Sequence, residues 1–287
     1  DLRCFCHKPV KVAKAIVDAR REKIARLLQK RRYLNIEEIS KEFGISEATT
    51  RRDMNVLERT GRIKRMHGGA LGDYDTQFAS LRERERVAYD AKVDMAKAVY
   101  AKLKPNSTCF LDAGTSVLAL ARQLLTHPIE NLTVITNSLA AIELLSGLSS
   151  IQLYIIGGRV LNRQSSIFGR AALETLKQWK FDVSVLSCWS FDSRGLWIIH
   201  SELADFHRAV LSRTRQAYCC ADVTKLNRSG SADALVCSWK SAPTLVTDAT
   251  SSQLSAGGVR LKCVEKAKQV GFYQSSTRTQ PKEPKDA

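Results

Sequence analysis

Residues 36–70 read IEEISKEFGISEATTRRDMNVLERTGRIKRMHGGA, and this stretch decides the fold of the N-terminal part. Asn35 stands just before a helix, and Glu38 three residues on completes a capping box. Ile36, Ile39 and Phe43 form one apolar stripe. Gly44 stops that helix, because so tight a turn needs positive φ. Ser46 caps a second helix, and Gly61 is expected to end it after Arg59. At about 100° per residue, Thr50, Met54 and Leu57 of the second helix point to the core. Ala48, Arg52, Asn55 and Arg59 then lie on the opposite face, with Thr49 and Arg51 on its flanks.

That outward face suits the major groove of duplex DNA. Arginine takes guanine edges bidentately, asparagine reads adenine, and alanine touches a thymine methyl. Ser46 and the N–H groups of the first turn can hold a phosphate. The following Arg62, Lys64, Arg65 and His67 make a weakly alternating basic ribbon, read as the wing of a winged helix-turn-helix. A solvated basic face on any helical hairpin would carry similar charge. The order of cap, glycine, cap, arginine pair, glycine and ribbon favours DNA.

Charge agrees. The 287-residue chain carries a formal net charge of +16, and residues 1–72 hold 18 Lys/Arg against 9 Asp/Glu. Such asymmetry favours a polyanion. An anionic membrane or RNA would satisfy the charge equally; the helix-turn-helix decides for duplex DNA. No apolar run approaches a membrane span, and the N-terminus lacks the apolar core of a signal peptide. A cytoplasmic protein with eight reduced cysteines and no membrane partner is therefore expected. Cys4, Cys6 and His7 cluster without a second ligand pair nearby, so neither a metal nor a cofactor is expected. Cys219 and Cys220 should point to opposite faces of a strand as core thiols.

From about residue 87, helices alternate with short apolar strands, expected over 108–111, 132–136, 151–156, 183–187, 218–221, 244–247 and 261–264. This argues for a parallel sheet covered on both faces. Open α/β sheets bind ligands at the C-terminal ends of their strands. There stand Asp112, Gly114, Thr115 and Ser116, then Thr136, Asn137 and Ser138, then Gly157 and Gly158, and later Asp222 and Lys225. Glycine admits a ligand to the backbone, while N–H groups and hydroxyls can hold a phosphate. Four such turns at equivalent positions point to a site for a small anion.

Ser46-x-x-Thr49-x-Arg51-Arg52-Asp53, Leu57-Glu58-x-x-Gly61 and His67-Gly68-Gly69-Ala70 resemble the DNA-binding signature of the DeoR family of bacterial transcriptional regulators. The four strand-end turns are similar to that family's sensor domain. Phe78, Arg84 and Lys92 stand where the family has an aromatic, an Arg and a Lys, although Ala91 replaces a usual Glu. The resemblance covers roughly residues 20–250. It implies a winged helix-turn-helix followed by an α/β domain similar in fold to sugar-phosphate isomerases and deaminases. It also implies operator DNA and a phosphorylated sugar or polyol effector as partners, and a homo-oligomer, dimer or tetramer.

By the same resemblance, all the strand-end residues above line the effector pocket, with Gly169 nearby. Lys225 would offer its ammonium to the phosphate or a hydroxyl, and Asp112 or Asp222 would accept from sugar hydroxyls. The expected organisation is a basic lead-in (1–19), the DNA-binding domain (20–72, first helix 20–30), a linker (73–89), the effector-sensing domain (90–270) and a disordered tail (271–287).

Besides Ala91, one position and one stretch depart from the family. Thr50 replaces an aliphatic residue in the core. Cys188, Trp189, Ser190, Phe191 and Asp192 replace small residues and a glycine. Trp189 and Phe191 would narrow the pocket, stack on a ring, or pack in a neighbouring loop.

The function implied is repression of a sugar or polyol catabolic operon, relieved by the effector. The alternatives are an activator, or a sugar-phosphate isomerase or deaminase with a DNA-binding appendage. The enzyme reading would use Asp112, Asp222 and Lys225. Asp205 and His207 read as surface residues of a helix, which leaves no further carboxylate–histidine cluster for catalysis.

Overall fold

The computed structural model describes residues 14–31, 33–60, 62–66, 69–72, 79–161, 164–199, 201–228 and 234–276. The chain divides into two compact units, Asp1–Phe78 and Ala79–Ala287.

The first unit contains α1 (Lys14–Arg31), β1 (Tyr33–Asn35), α2 (Ile36–Phe43), α3 (Glu47–Arg59), β2 (Ile63–Met66) and β3 (Gly69–Gly72). The capping box forms: the Glu38 N–H donates to Asn35 Oδ1 and the Asn35 N–H to Glu38 Oε2, both at 2.8 Å. Gly44 adopts φ 59°. Ser46 Oγ accepts from the Thr49 N–H at 3.2 Å. Ile24, Leu28, Ile36, Ile39, Met54, Leu57 and Ile63 make the core. Thr50 is fully buried there, and its hydroxyl is satisfied, donating to the Ser46 carbonyl at 3.2 Å and lying 3.0 Å from Ser40 Oγ. The departure at this position thus joins α2 to α3 by hydrogen bonds, where an aliphatic would offer packing alone.

Two features differ from expectation and a third adds a contact on which no expectation was stated. Helix α1 begins at Lys14, inside the stretch read as a lead-in. Strand β1 adds a third member to the wing, with β3 in the middle and both pairings antiparallel. Asp53 faces inward, accepting from Arg20 Nε and Arg21 Nε at 2.8 Å each, and so ties α3 to α1. Gly61, His67, Phe78 and the Cys4–Cys6–His7 cluster lie outside the described residues.

The second unit opens with α4 (Leu81–Arg86) and α5 (Tyr89–Tyr100). The alternating part follows as β4 (Thr108–Leu111), α6 (Thr115–Thr126), β5 (Leu132–Thr136), α7 (Leu139–Leu145) and β6 (Ile151–Ile155). Next come the hairpin β7 (Arg159–Leu161) and β8 (Ser166–Phe168), then α8 (Arg170–Leu176), β9 (Phe181–Ser187), β10 (Ser190–Phe191), β11 (Gly195–Ile198) and α9 (Ser201–Leu211). The chain continues through β12 (Thr214–Cys220), a 3-10 turn (Val223–Lys225), β13 (Ala234–Ser238), β14 (Thr244–Thr247), α10 (Ser251–Ala256), β15 (Lys262–Ala267) and β16 (Val270–Gln274).

The main sheet has the order β15-β16-β14-β12-β9-β4-β5-β6. From β14 to β6 it is parallel, as expected. Strand β16 runs antiparallel to both β14 and β15, so the sheet is mixed. One core gathers Met95, Val99, Leu120, Leu124 and Cys220; another gathers Phe191, Leu245, Leu254 and Cys219. The adjacent thiols therefore do enter different cores.

Two boundaries are corrected. The stretch read as a linker holds α4, capped by Ser80 and Glu83 in a second capping box. The stretch read as a disordered tail begins inside β16, whose Val270, Phe272 and Tyr273 are buried. Residues 277–287 lie outside the described residues. The small antiparallel sheet β10-β11-β13 was not expected either.

Candidate nucleic-acid interface and effector site

Helix α3 exposes Ala48, Arg51, Arg52, Asn55 and Arg59, with Thr49 half-buried. Thr49 Oγ1 lies 2.9 Å from Ser46 Oγ, which fixes the first turn. Arg51 meets Glu47 at 3.2 Å on the surface, a weak pair that a phosphate can replace. Arg52 makes no hydrogen bond or ion pair among the described residues. Arg62 has a structural partner: its Nη2 sits 2.7 Å from Glu22 Oε2, fastening the base of the wing to α1. Hydrogen bonds from Arg62 and Arg26 hold the Glu22 carboxyl below its ordinary range. Lys64 and Arg65 contribute backbone to β2; their side chains lie outside the described residues.

In the second unit, β6, β5, β4, β9 and β12 are neighbours about 4.8 Å apart, so their C-terminal ends form a row. The row carries Gly157, Thr136, Asp112, Ser187 and Asp222. Thr136 Oγ1 donates to the Leu111 carbonyl at 2.7 Å and accepts from the Ser138 N–H at 3.0 Å. Ser138 Oγ caps α7, accepting from the Ala141 N–H at 3.2 Å. Gly114 caps α6 at Thr115, and a Cβ there would lie 1.9 Å from Ser187 Oγ. Only glycine fits between these two strand ends. A Cβ on Gly158 would meet the Phe168 carbonyl at 2.6 Å, whereas Gly157 faces open space. Gly169 caps α8 at φ 100°.

Ser116 Oγ and Asn137 Oδ1 are buried without a hydrogen-bond partner among the described residues. Buried polar atoms are normally paired, so these two, at the heads of adjacent strand-end loops, suit a ligand.

The two carboxylates have partners within the protein. Asp112 is buried; its Oδ2 accepts from the Ser187 N–H at 3.1 Å and Ser187 Oγ at 3.0 Å, and its Oδ1 lies 3.2 Å from His207 Nε2. Burial pushes this carboxyl up, but His207 and the backbone N–H groups of Ser187 and Ala113 outweigh it and hold the group below the ordinary carboxylate range. His207 is thus buried, contrary to the surface position expected; Asp205 is exposed and pairs with Arg208 at 2.6 Å. Asp222 Oδ1 accepts from the N–H and the hydroxyl of Thr224 in its own turn. Both carboxylates brace loops through these bonds, and a carboxylate keeps further lone pairs that can accept from a ligand hydroxyl.

Lys225 is half-buried in the 3-10 turn. Lys92 was not among the expected site residues, although the resemblance marks its position. Lys92 is buried, and its Nζ donates to the Arg84 and Val87 carbonyls at 2.5 Å each, joining the end of α4 to α5. Burial, then the charge of Lys225, lowers its pKa to about 8, against an opposing pull from Asp222. Burial and then Arg228 lower that of Arg84. Arg84, Lys92, Lys225 and Arg228 therefore concentrate positive charge at the Asp222 end of the row.

The departing loop resolves into two roles. Phe191 is fully buried in a core, and its carbonyl accepts from the Asn227 N–H at 2.8 Å. The Trp189 ring lies 3.8 Å from the Arg228 guanidinium, so it stacks on protein. Among the described residues, no group of three or more His, Cys, Asp and Glu could hold a metal ion, and no helix is long and apolar enough to cross a membrane.

A winged helix-turn-helix followed by an α/β domain with ligand-type turns at its strand ends defines a two-domain transcriptional regulator. Residues 20–75 match the DeoR-like helix-turn-helix domain, and residues 87–249 match the DeoR C terminal sensor domain. The chain belongs to the DeoR family. It is similar to the glycerol-3-phosphate regulon repressor of Haemophilus influenzae, with 32% identity over 215 residues, covering 73% of this chain and 81% of that protein. It is also similar to the L-fucose operon activator of Escherichia coli, 32% identical over 218 residues, covering 75% of this chain and 88% of that one. Among solved structures, ribose 5-phosphate isomerase A of Methanocaldococcus jannaschii overlaps 48% of this chain and 54% of its own, with 16% identity and a TM-score of 0.34, an overlap too partial to bear on function.

Proposed function

We propose that this chain represses an operon for sugar or polyol catabolism. It binds duplex operator DNA through α3 and the wing, and lets go when a phosphorylated sugar or polyol occupies the strand ends. The observation that carries the DNA half is the division of α3: Ala48, Arg52 and Asn55 face outward while Thr50, Asp53, Met54 and Leu57 face inward. Ser46, Thr49, Arg51, Arg62, Lys64, Arg65 and His67 position the phosphate backbone around that face.

The effector half is supported by the orphaned Ser116 and Asn137 oxygens and by the cations near Asp222. Thr115, Thr136, Ser138, Gly157, Gly158, Gly169 and Lys225 complete the pocket, with Asp112, Gly114 and Asp222 fixing its loops. An isomerase or deaminase would need a general base beside the substrate carbon. Asp112 and Asp222 are already engaged by Ser187, His207 and Thr224, which weighs against that reading.

The test pairs a thermal-shift screen against sugar and polyol phosphates with a gel shift on the protein's own promoter. A ligand of the native state raises the melting temperature and is expected to lower operator affinity about 5- to 150-fold. A ligand that tightens binding would favour the activator reading, as in the fucose relative's name. Turnover of a phosphosugar would overturn the regulator-only reading. Dimers or tetramers on repeated half-sites are the expected assembly, read by sedimentation with and without DNA.

A further inference from the structure

At the β6 end of the row, two arginines share one cleft. It measures about 690 Å³ and is lined by Gly158, Arg159, Phe168, Gly169, Arg170 and Glu202. The Arg159 guanidinium lies 4.5 Å over the Phe168 ring, and its Nη2 sits 3.2 Å from Glu202. Stacking fixes the plane of a guanidinium and leaves its edge N–H groups for oxygen acceptors. Arg170 makes no hydrogen bond among the described residues, and its charge acts on Glu174 one turn along α8. Gly169, at φ 100°, turns the chain from β8 into α8 and adds no bulk: the nearest atom to a Cβ there is Arg159 Cβ at 3.9 Å.

The cleft is fastened to the loop that carries Asn137. The Ile167 N–H donates to the Asn137 carbonyl at 2.8 Å, and the Leu139 N–H to the Ser165 carbonyl at 2.9 Å. Two strand spacings, about 10 Å, separate the β6 end from the β4 end, where the orphaned Ser116 hydroxyl stands. That is the length scale of a sugar with an anionic group at each end. Two arginines against one glutamate in its lining make the cleft wall positive, with Glu174 beside Arg170 on the helix behind it.

We propose that Arg159 and Arg170 form a second anion subsite, which takes a phosphoryl or carboxylate group at the far end of the effector and makes that effector a doubly anionic sugar derivative. The ligand anion displaces Glu202 from Arg159 and bridges to Arg170. The ligand class rests on the effector reading above; the subsite does not.

The experiment is a phenylglyoxal footprint of the full chain, read by mass spectrometry, with inorganic phosphate as probe and malonate in a parallel arm to separate phosphoryl from carboxylate preference. At about ten times its dissociation constant, phosphate or malonate is expected to slow modification of Arg159 and Arg170 about tenfold, by occupancy of the site. Arg215 and Arg260, exposed elsewhere, should be unaffected. Arg170→Ala should relieve protection of Arg159, and Glu202→Gln should give protection at lower anion concentration. Equal protection of all four arginines, or protection of Arg159 that ignores Arg170→Ala, overturns the subsite. If both arginines are protected but no phosphorylated sugar alters operator binding, the effector reading fails and the subsite stands. If phosphorylated sugars release the operator while neither arginine is protected, the subsite fails alone.

Discussion

Arg52 and Asp53 are neighbours in sequence with opposite duties. Arg52 points away from the core, and Arg52→Ala is expected to cost about 1–3 kcal/mol of specific binding and to relax base preference. Gel shifts on operator and base-substituted sites would read this; an unchanged affinity removes Arg52 from the reading face. Asp53 is buried between Arg20 and Arg21, which are themselves partly exposed. Asp53→Asn should lower the stability of the N-terminal unit by about 1–3 kcal/mol, a buried charge-assisted pair discounted for solvent. Thermal unfolding measures it, and an unaltered melting temperature would remove the clamp.

The inward position of Asp53 was legible, since it lies three residues after Thr50 and four before Leu57. His207 lies four after Leu203 and three before Val210, again on a buried face. His207 was read as exposed although its spacing said otherwise, and Asp53 was assigned to neither face. The partners that make such burial tolerable, Arg20 and Arg21 for one and Asp112 for the other, come from distant segments and leave no local trace. In the same way, Lys92 matched a family position, but its approach to Lys225 needed the fold.

At the scale of elements, caps and apolar runs carried the sequence reading. Asn35→Ala removes half of a capping box and should cost about 1 kcal/mol. Gly44→Ala should cost a similar amount, about 1 kcal/mol, because its Cβ would meet nothing within 4 Å and only the left-handed backbone opposes it. Both are read by chemical denaturation of the N-terminal unit. The central strands β4, β5 and β14 fall where continuous apolar runs placed them, since a strand covered on both faces has no polar alternation to confuse it. Of the antiparallel strands in the second unit, β15 was expected over 261–264 and the others were not legible. Strand β10 has only two residues, and β16 leads directly into a polar terminus that masked it. Truncation before Val270 would remove the strand between β14 and β15 together with buried Phe272 and Tyr273. Such a chain is expected to aggregate, whereas one ending at Ser276 should keep its melting temperature; equal behaviour of the two would make β16 dispensable.

For the whole molecule, charge sets the conditions under which these parts work. With a net charge of +16, binding to duplex DNA should weaken steeply with salt, log affinity falling by about 0.9 per phosphate contacted for each unit of log salt concentration. Stability should respond to alkali through Lys92. Its folded pKa is near 8 and its ordinary value is 10.5. Between those values the unfolded chain holds the proton that the folded chain has released, so stability rises with pH over this window. Lys92→Met should remove about 1–3 kcal/mol of that rise, seen as the difference between urea titrations of the two proteins at pH 8 and pH 10. Parallel slopes would mean that the amine stays protonated in the fold.

Cys219 and Cys220 share one stretch of β12 yet end in separate cores. Two chemically alike probes are thereby soldered to a single backbone segment and look into different compartments. Their labelling rates with a thiol reagent would separate two kinds of breathing. If β12 peels away as a unit, both sulfurs react together. If one helical layer loosens while the sheet holds, one reacts alone and names the layer that moved.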